Sequence, residues 1–191
     1  SVNGLWPTLV PLIIGSALVP AQIVLTLLLL RSTAGRITAV AFVAGMFVVR
    51  LLQGAVFGLL VASSDVAGAS ADSSGSGTVT SVVLLVVAVL LYVTAAKQLL
   101  GDVDPDAPPP RWLTMAETMG PAKAFGFGVA LIAVGPKFWV FTLGAISAIG
   151  DADLGRPEGA ITFLVFAVLA SAVQVAALAF AYAAPARADA V

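Results

Sequence analysis

The chain has 191 residues, of which 60% are hydrophobic and 10% charged, and its net charge is −1. That balance, with a mean hydropathy of +1.09, lies outside the soluble globular class. Cysteine and histidine are both absent, which excludes disulfide exchange, thiolate or histidine metal sites and histidine acid–base chemistry.

Five apolar runs reach the length of about 20 residues that crosses a hydrocarbon core. They predict an all-α, polytopic helical membrane protein. The first run, 5–30, lacks a basic n-region and is too long for a signal-peptide core, so it reads as a mature helix. Pro20 breaks it near its middle, and Gln22 and Thr26 lie one turn apart beside the break. Proline removes a backbone donor and frees carbonyls inside the membrane. The turn Arg31–Arg36 is basic. The second run, 37–61, carries Arg50 and Gln53 one turn apart, with Gly45, Gly54 and Gly58 as small residues for close helix approach.

Residues 63–77 read as a flexible polar loop. The third run, 78–100, is Val-rich and ends in Lys97 and Gln98. An acidic, proline-rich linker follows over 101–111. Its Asp102, Asp104 and Asp106 lack the glycine and closing glutamate of a calcium loop, so it reads as solvated. Residues 112–118 suit a short interfacial segment led by Trp112. The fourth run, 124–149, is broken at Gly135-Pro136-Lys137. A polar turn spans 150–158, and the fifth run, 160–184, holds Ser171 and Gln174 near its middle.

Two of these runs echo each other. Ala17, Pro20, Val24, Thr26 and Leu27 recur at the same spacing as Ala133, Pro136, Val140, Thr142 and Leu143. Phe42, Gln53 and Ala55 recur likewise as Phe163, Gln174 and Ala176. The pattern predicts an internal duplication whose halves each open on a proline-broken helix. The first repeat covers 1–101 with three helices. A cytoplasmic linker with its interfacial segment covers 102–123, and the second repeat covers 124–191 with two helices. The third helix of that half, the sixth of the whole, is expected to be truncated or supplied by a protein partner or a second copy. Alternate connections are basic, the fourth being acidic on balance despite Arg156, which places the amino terminus outside and makes the two halves inverted relative to each other.

Arg50 and Lys137 are the only charges deep in the runs, each roughly 20 Å from the cytoplasmic start of its helix. No Asp or Glu accompanies them there. A cation at membrane depth costs at least about 2.5 kcal/mol, and a substrate phosphate, sulfate or carboxylate could offset that. The expected substrate-binding set is Lys137, Arg50, Pro136, Pro20, Gln22, Gln53, Gln174, Thr26 and Thr142. Snorkelling of the two cations to an interface is the bland alternative, and the glutamines and threonines also commonly bridge helices. The lack of buried carboxylates argues against a metal-cation or proton-relay transporter. No catalytic residue, metal or cofactor is expected, and no nucleic-acid partner.

The run Pro109-Pro110-Arg111-Trp112-Leu113, then Gly120-Pro121-Ala122-Lys123-Ala124, Gly126 and Gly135-Pro136-Lys137, resembles the peptidoglycolipid-addressing family. That family, also called sulfolipid-addressing or Sap-like, belongs to the LysE-type superfamily. Its members read Asn-Pro-Lys-Asn in the fourth helix, where Gly135 and Phe138 replace the two asparagines here. The resemblance implies six spans in two inverted triplets in a bacterial inner membrane. It also implies a role in moving glycolipids to the envelope surface of actinobacteria. The expected function is a non-enzymatic transporter, or transport component, for anionic or glycosylated envelope lipids, with membrane lipids as its partners. The alternatives are an exporter of a small anionic or zwitterionic solute such as an amino acid, and an accessory subunit of a larger envelope-lipid complex.

Overall fold

Pro20 and Pro136 each open a helix. In the computed structural model, which describes residues 2–32, 35–68, 111–183 and positions 82, 85, 86, 88, 89, 92, 93 and 96, all regular structure is helical. In chain order the helices are α1 (Val2–Ala17), α2 (Pro20–Leu30), α3 (Gly35–Gly68), α4 (Arg111–Glu117), α5 (Pro121–Val134), α6 (Pro136–Asp151), α7 (Gly155–Ala170) and α8 (Ala172–Ala183). Over Gly35–Leu59, α3 is long and apolar enough to cross a membrane alone. Three helix pairs pass the same test together while bending sharply: α1–α2 by 46°, α5–α6 by 69° and α7–α8 by 58°. The chain is a helical membrane protein, with up to four spans among the described residues.

Proline accounts for two of the bends. Pro20 and Pro136 each occupy the first turn of the helix after the break, where a missing N–H is tolerated. At the second break, Gly135 N–H still reaches Leu131 O, and the Trp139 indole N–H donates to Ala133 O over 2.8 Å. A side chain thus satisfies a carbonyl that the interrupted ladder leaves free. Two further prolines, Pro7 and Pro11, are accommodated inside α1.

The third bend has no proline, and the sequence reading expected an unbroken helix over 160–184. Ser171 is the single residue between α7 and α8. Its N–H bonds Val168 O, while its hydroxyl donates to Ala167 O over 3.1 Å. The side chain occupies the carbonyl that its own backbone N–H would take in a continuous helix, a hydroxyl back-bond that bends helices. A second difference concerns α3, which continues to Gly68 through the start of the predicted 63–77 loop; a few polar residues do not end a helix whose ladder is intact. The rest of that loop, most of the third predicted run, the acidic linker over 101–110 and the tail after 183 lie outside the described residues. The described positions from 82 to 96 are helical, and Val82, Leu85, Val86, Val89, Tyr92 and Val93 expose an apolar stripe at helical spacing.

Buried residues of α3 fall on one stripe: Thr38, Ala39, Phe42, Val43, Met46, Val49, Arg50 and Gln53. Around it the other spans are ordered by a few contacts. The Phe141 ring packs over Gly15 and Leu12 packs over Gly144, so α1 and α6 run antiparallel. Phe42 stacks on Phe127 and Phe57 meets Trp139 edge-on, so α3 runs in the direction of α5–α6. Arg36 lies over the Tyr182 ring, Arg50 meets Ser171, and Phe163 packs on Gly54, so α7–α8 runs the opposite way. The closest crossing is α3 on α5. A Cβ at Gly45 would strike the backbone of Phe125, and one at Gly128 would strike that of Phe42; small residues here let the two backbones touch.

Two apolar clusters fill the body. One joins Leu25, Leu29, Ala39, Phe42, Met46, Ala116, Met119, Ala124 and Phe138. The other joins Leu5, Leu9, Ala145, Phe166 and Ala170, with Ala152 and Leu154 at its edge. The first end therefore carries the connections that hold Arg31, Arg36, Arg111 and Lys123, and the second those that hold Asp151, Asp153, Arg156 and Glu158.

Candidate substrate site at the helix breaks

Between the two apolar clusters lies a polar centre. Arg50, about 22 Å along α3 from Gly35 at the usual rise, is only 1% exposed. Its Nη2 donates to Ser16 Oγ over 3.0 Å and its Nη1 to Ser171 Oγ over 3.2 Å. Ser16 is the penultimate residue of α1, just before the first break, and Ser171 is the third break itself. One guanidinium on the unbroken helix thus ties together the bends of two others. A second bridge runs beside it: Gln174 Nε2, in the first turn of α8, donates over 3.0 Å to Gln22 Oε1, in the first turn of α2.

The charge balance of this centre is one-sided. Among the described residues Arg50 is hydrogen-bonded only by serine hydroxyls, and no carboxylate lies in the apolar runs. Several buried polar atoms without a protein partner belong to these bridging residues or lie one turn from them: Arg50 Nε, Gln22 Nε2, Gln174 Oε1, and both amide atoms of Gln53; Thr38 Oγ1, about three turns before Arg50 on α3, is also unpaired. Thr142 Oγ1 on α6 is likewise buried and unpaired. Thr26 Oγ1 is satisfied by Gln22 O over 2.7 Å. A buried cation facing neutral acceptors, with amide groups to spare, is chemically suited to hold an anion or a polyhydroxylated headgroup. It is poorly suited to a metal cation, and no group of three or more metal-ligating side chains occurs among the described residues.

A family model described as Sap, sulfolipid-1-addressing protein, matches residues 9–191. The chain belongs to that family. No curated protein and no solved structure matches it.

Of the residues expected at the site, the structure gathers Arg50, Gln22 and Gln174, with Gln53 one turn beyond Arg50 and also buried. The pairing differs from the repeat pattern, which relates Gln174 to Gln53; it is Gln22 that Gln174 meets. Pro20 is exposed and Pro136 half-buried, each shaping a break without touching the polar centre's hydrogen bonds. Lys137 is exposed, in the first turn of α6. The two cations that the sequence places at similar depth therefore differ in surroundings, one enclosed and one exposed. Ser16 and Ser171, which hold Arg50, were not expected at the site. The available signal was the single serine inside each apolar run, four residues before Pro20 and three before Gln174.

Proposed function

We propose that this protein is a transport component for anionic or glycosylated envelope lipids in a bacterial inner membrane. The observation that carries the reading is the bridging of two helix breaks by Arg50 between the two apolar clusters. Secondary transporters place their substrates where broken helices expose polar groups near the midplane. The family's description, sulfolipid-1 addressing, names a sulfur-bearing lipid and fits a site that is cationic and rich in amides. The antiparallel course of α1 and α6, each paired with a proline-headed break, supports the inverted-repeat organisation and the LysE-type kinship expected from the sequence. The basic end of the body is cytoplasmic in this reading and the acidic end, with the amino terminus, faces outward.

Arg50, Gln22, Gln53, Gln174, Thr26 and Thr142 then form the enclosed part of the substrate path. Lys137 offers an anionic headgroup a first contact at the outer surface of α6. Comparative lipid analysis of the envelope, with the gene intact and deleted, tests the function. Loss of one anionic or glycosylated lipid class from the cell surface, with its accumulation inside, is expected. An unchanged surface lipid profile overturns it.

A further inference from the structure

Ser16 and Ser171 each accept one hydrogen bond from a terminal nitrogen of Arg50. A guanidinium has more N–H donors than those two bonds use, and the unused set includes Nε–H, which is buried and has no partner. Nε–H and the adjacent Nη–H form an edge whose spacing matches two oxygens of a carboxylate, sulfate or phosphate. The serines hold both terminal nitrogens, so the plane of the guanidinium, and with it the direction of Nε–H, is fixed. One turn along the same helix face stands Gln53, 6% exposed, with neither amide atom bonded. An unbonded buried amide one turn from the unpaired Nε–H of a buried, unneutralised cation calls for an acceptor carrying negative charge.

We propose that the Nε edge of Arg50 and the Gln53 amide bind a tetrahedral oxyanion, a sulfate or phosphate, carried as a headgroup ester or free. Ser16 and Ser171 are positioning residues that orient the guanidinium. Because Arg50 is 1% exposed, the anion reaches it when one of the two flanking breaks parts. The inference rests on the lipid-transport reading only for the physiological source of the anion.

The test uses the full chain, purified in nanodiscs, with melting followed by tryptophan fluorescence. One arm adds sodium sulfate or sodium phosphate against sodium chloride at matched ionic strength. The other compares nanodiscs containing a sulfated galactolipid with nanodiscs containing its unsulfated parent. A rise of Tm in the first arm assigns the site to the free anion, and a rise confined to the second assigns it to the lipid ester; either supports the proposal. Arg50→Gln is expected to weaken the apparent affinity roughly tenfold or more, the loss of a charge-assisted pair. Gln53→Leu keeps the charge and is expected to weaken it several-fold. Ser16→Ala lowers it less, with recovery in Ser16→Thr. No Tm response in either arm, or an undiminished response in Arg50→Gln, overturns the proposal. Should Arg50→Gln fail to fold, an undiminished response in Gln53→Leu does so instead. Anion binding without any change in envelope lipids on gene deletion would remove the transport reading and leave this site standing; the converse result removes the site alone.

Discussion

Arg50 and Ser171, 121 positions apart in the chain, share a hydrogen bond of 3.2 Å from Nη1 to Oγ. The same hydroxyl donates to Ala167 O, so one serine both receives the central cation and bends the span it sits in.

Ser171→Ala is expected to straighten that span. With the hydroxyl gone, the backbone N–H of residue 171 returns to Ala167 O, and the 58° bend relaxes. Spin labels at Ile161 and Tyr182, both exposed, should move apart by about 4 Å at the usual helical rise. An unchanged distance distribution would show that neighbouring packing, and not the hydroxyl, makes the bend.

The Gln22–Gln174 bridge is open to a double-mutant cycle. Either single change to leucine strands a buried amide and should cost about 1–3 kcal/mol, whereas the double change should be closer to neutral. Additive losses in thermal unfolding of the purified variants would mean that the two amides are not coupled.

Gly128→Val should separate α3 from α5, because its side chain has only the Phe42 backbone to enter. Overpacking of this kind costs about 1–3 kcal/mol. The expected result is a lower Tm and reduced yield, while the same change at Gly126, whose Cβ would meet nothing within 4 Å, should be tolerated.

Lys137→Ala should leave Tm and protein level unchanged, since the side chain is exposed. If this lysine receives headgroups, the surface amount of the transported lipid falls at equal expression. Normal delivery would assign Lys137 to the interface alone, its stem along lipid and its charge toward headgroups.

The orientation of the body can be read with two cysteines, because the chain has none of its own. Asp153→Cys should react with an impermeant thiol reagent on intact cells, and Ser32→Cys should not. The reverse labelling pattern would turn the protein over in the membrane.

The breaks at Pro20 and Pro136 were legible in the sequence because proline carries its consequence in its own covalent structure: no N–H, fixed φ. Arg50 and the glutamines were legible because a polar group in an apolar run demands a partner. Which partner was not. Gln174 resembles Gln53 by position in the repeat, yet it meets Gln22, since proximity is set by how bent helices pack and not by equivalence of register. The depth of Lys137 along its helix could be counted, but whether it faced inward could not. A bend beginning at Gly135 turns the helix that follows by 69°, so periodicity measured before the break does not carry across it. The bend at Ser171 was not legible, because a serine's back-bond by itself fixes neither whether a span bends nor by how much.

The three bends are also unequal in permanence. At Pro20 and Pro136 the missing donor is a matter of bonding, and no rearrangement restores it. Ser171 has every donor a continuous helix needs, and its elbow persists only while a hydroxyl outcompetes a neighbouring amide for one carbonyl oxygen. Two joints of this protein are welded and the third is latched, so any rocking of the body would use the carboxyl-terminal span as its moving arm.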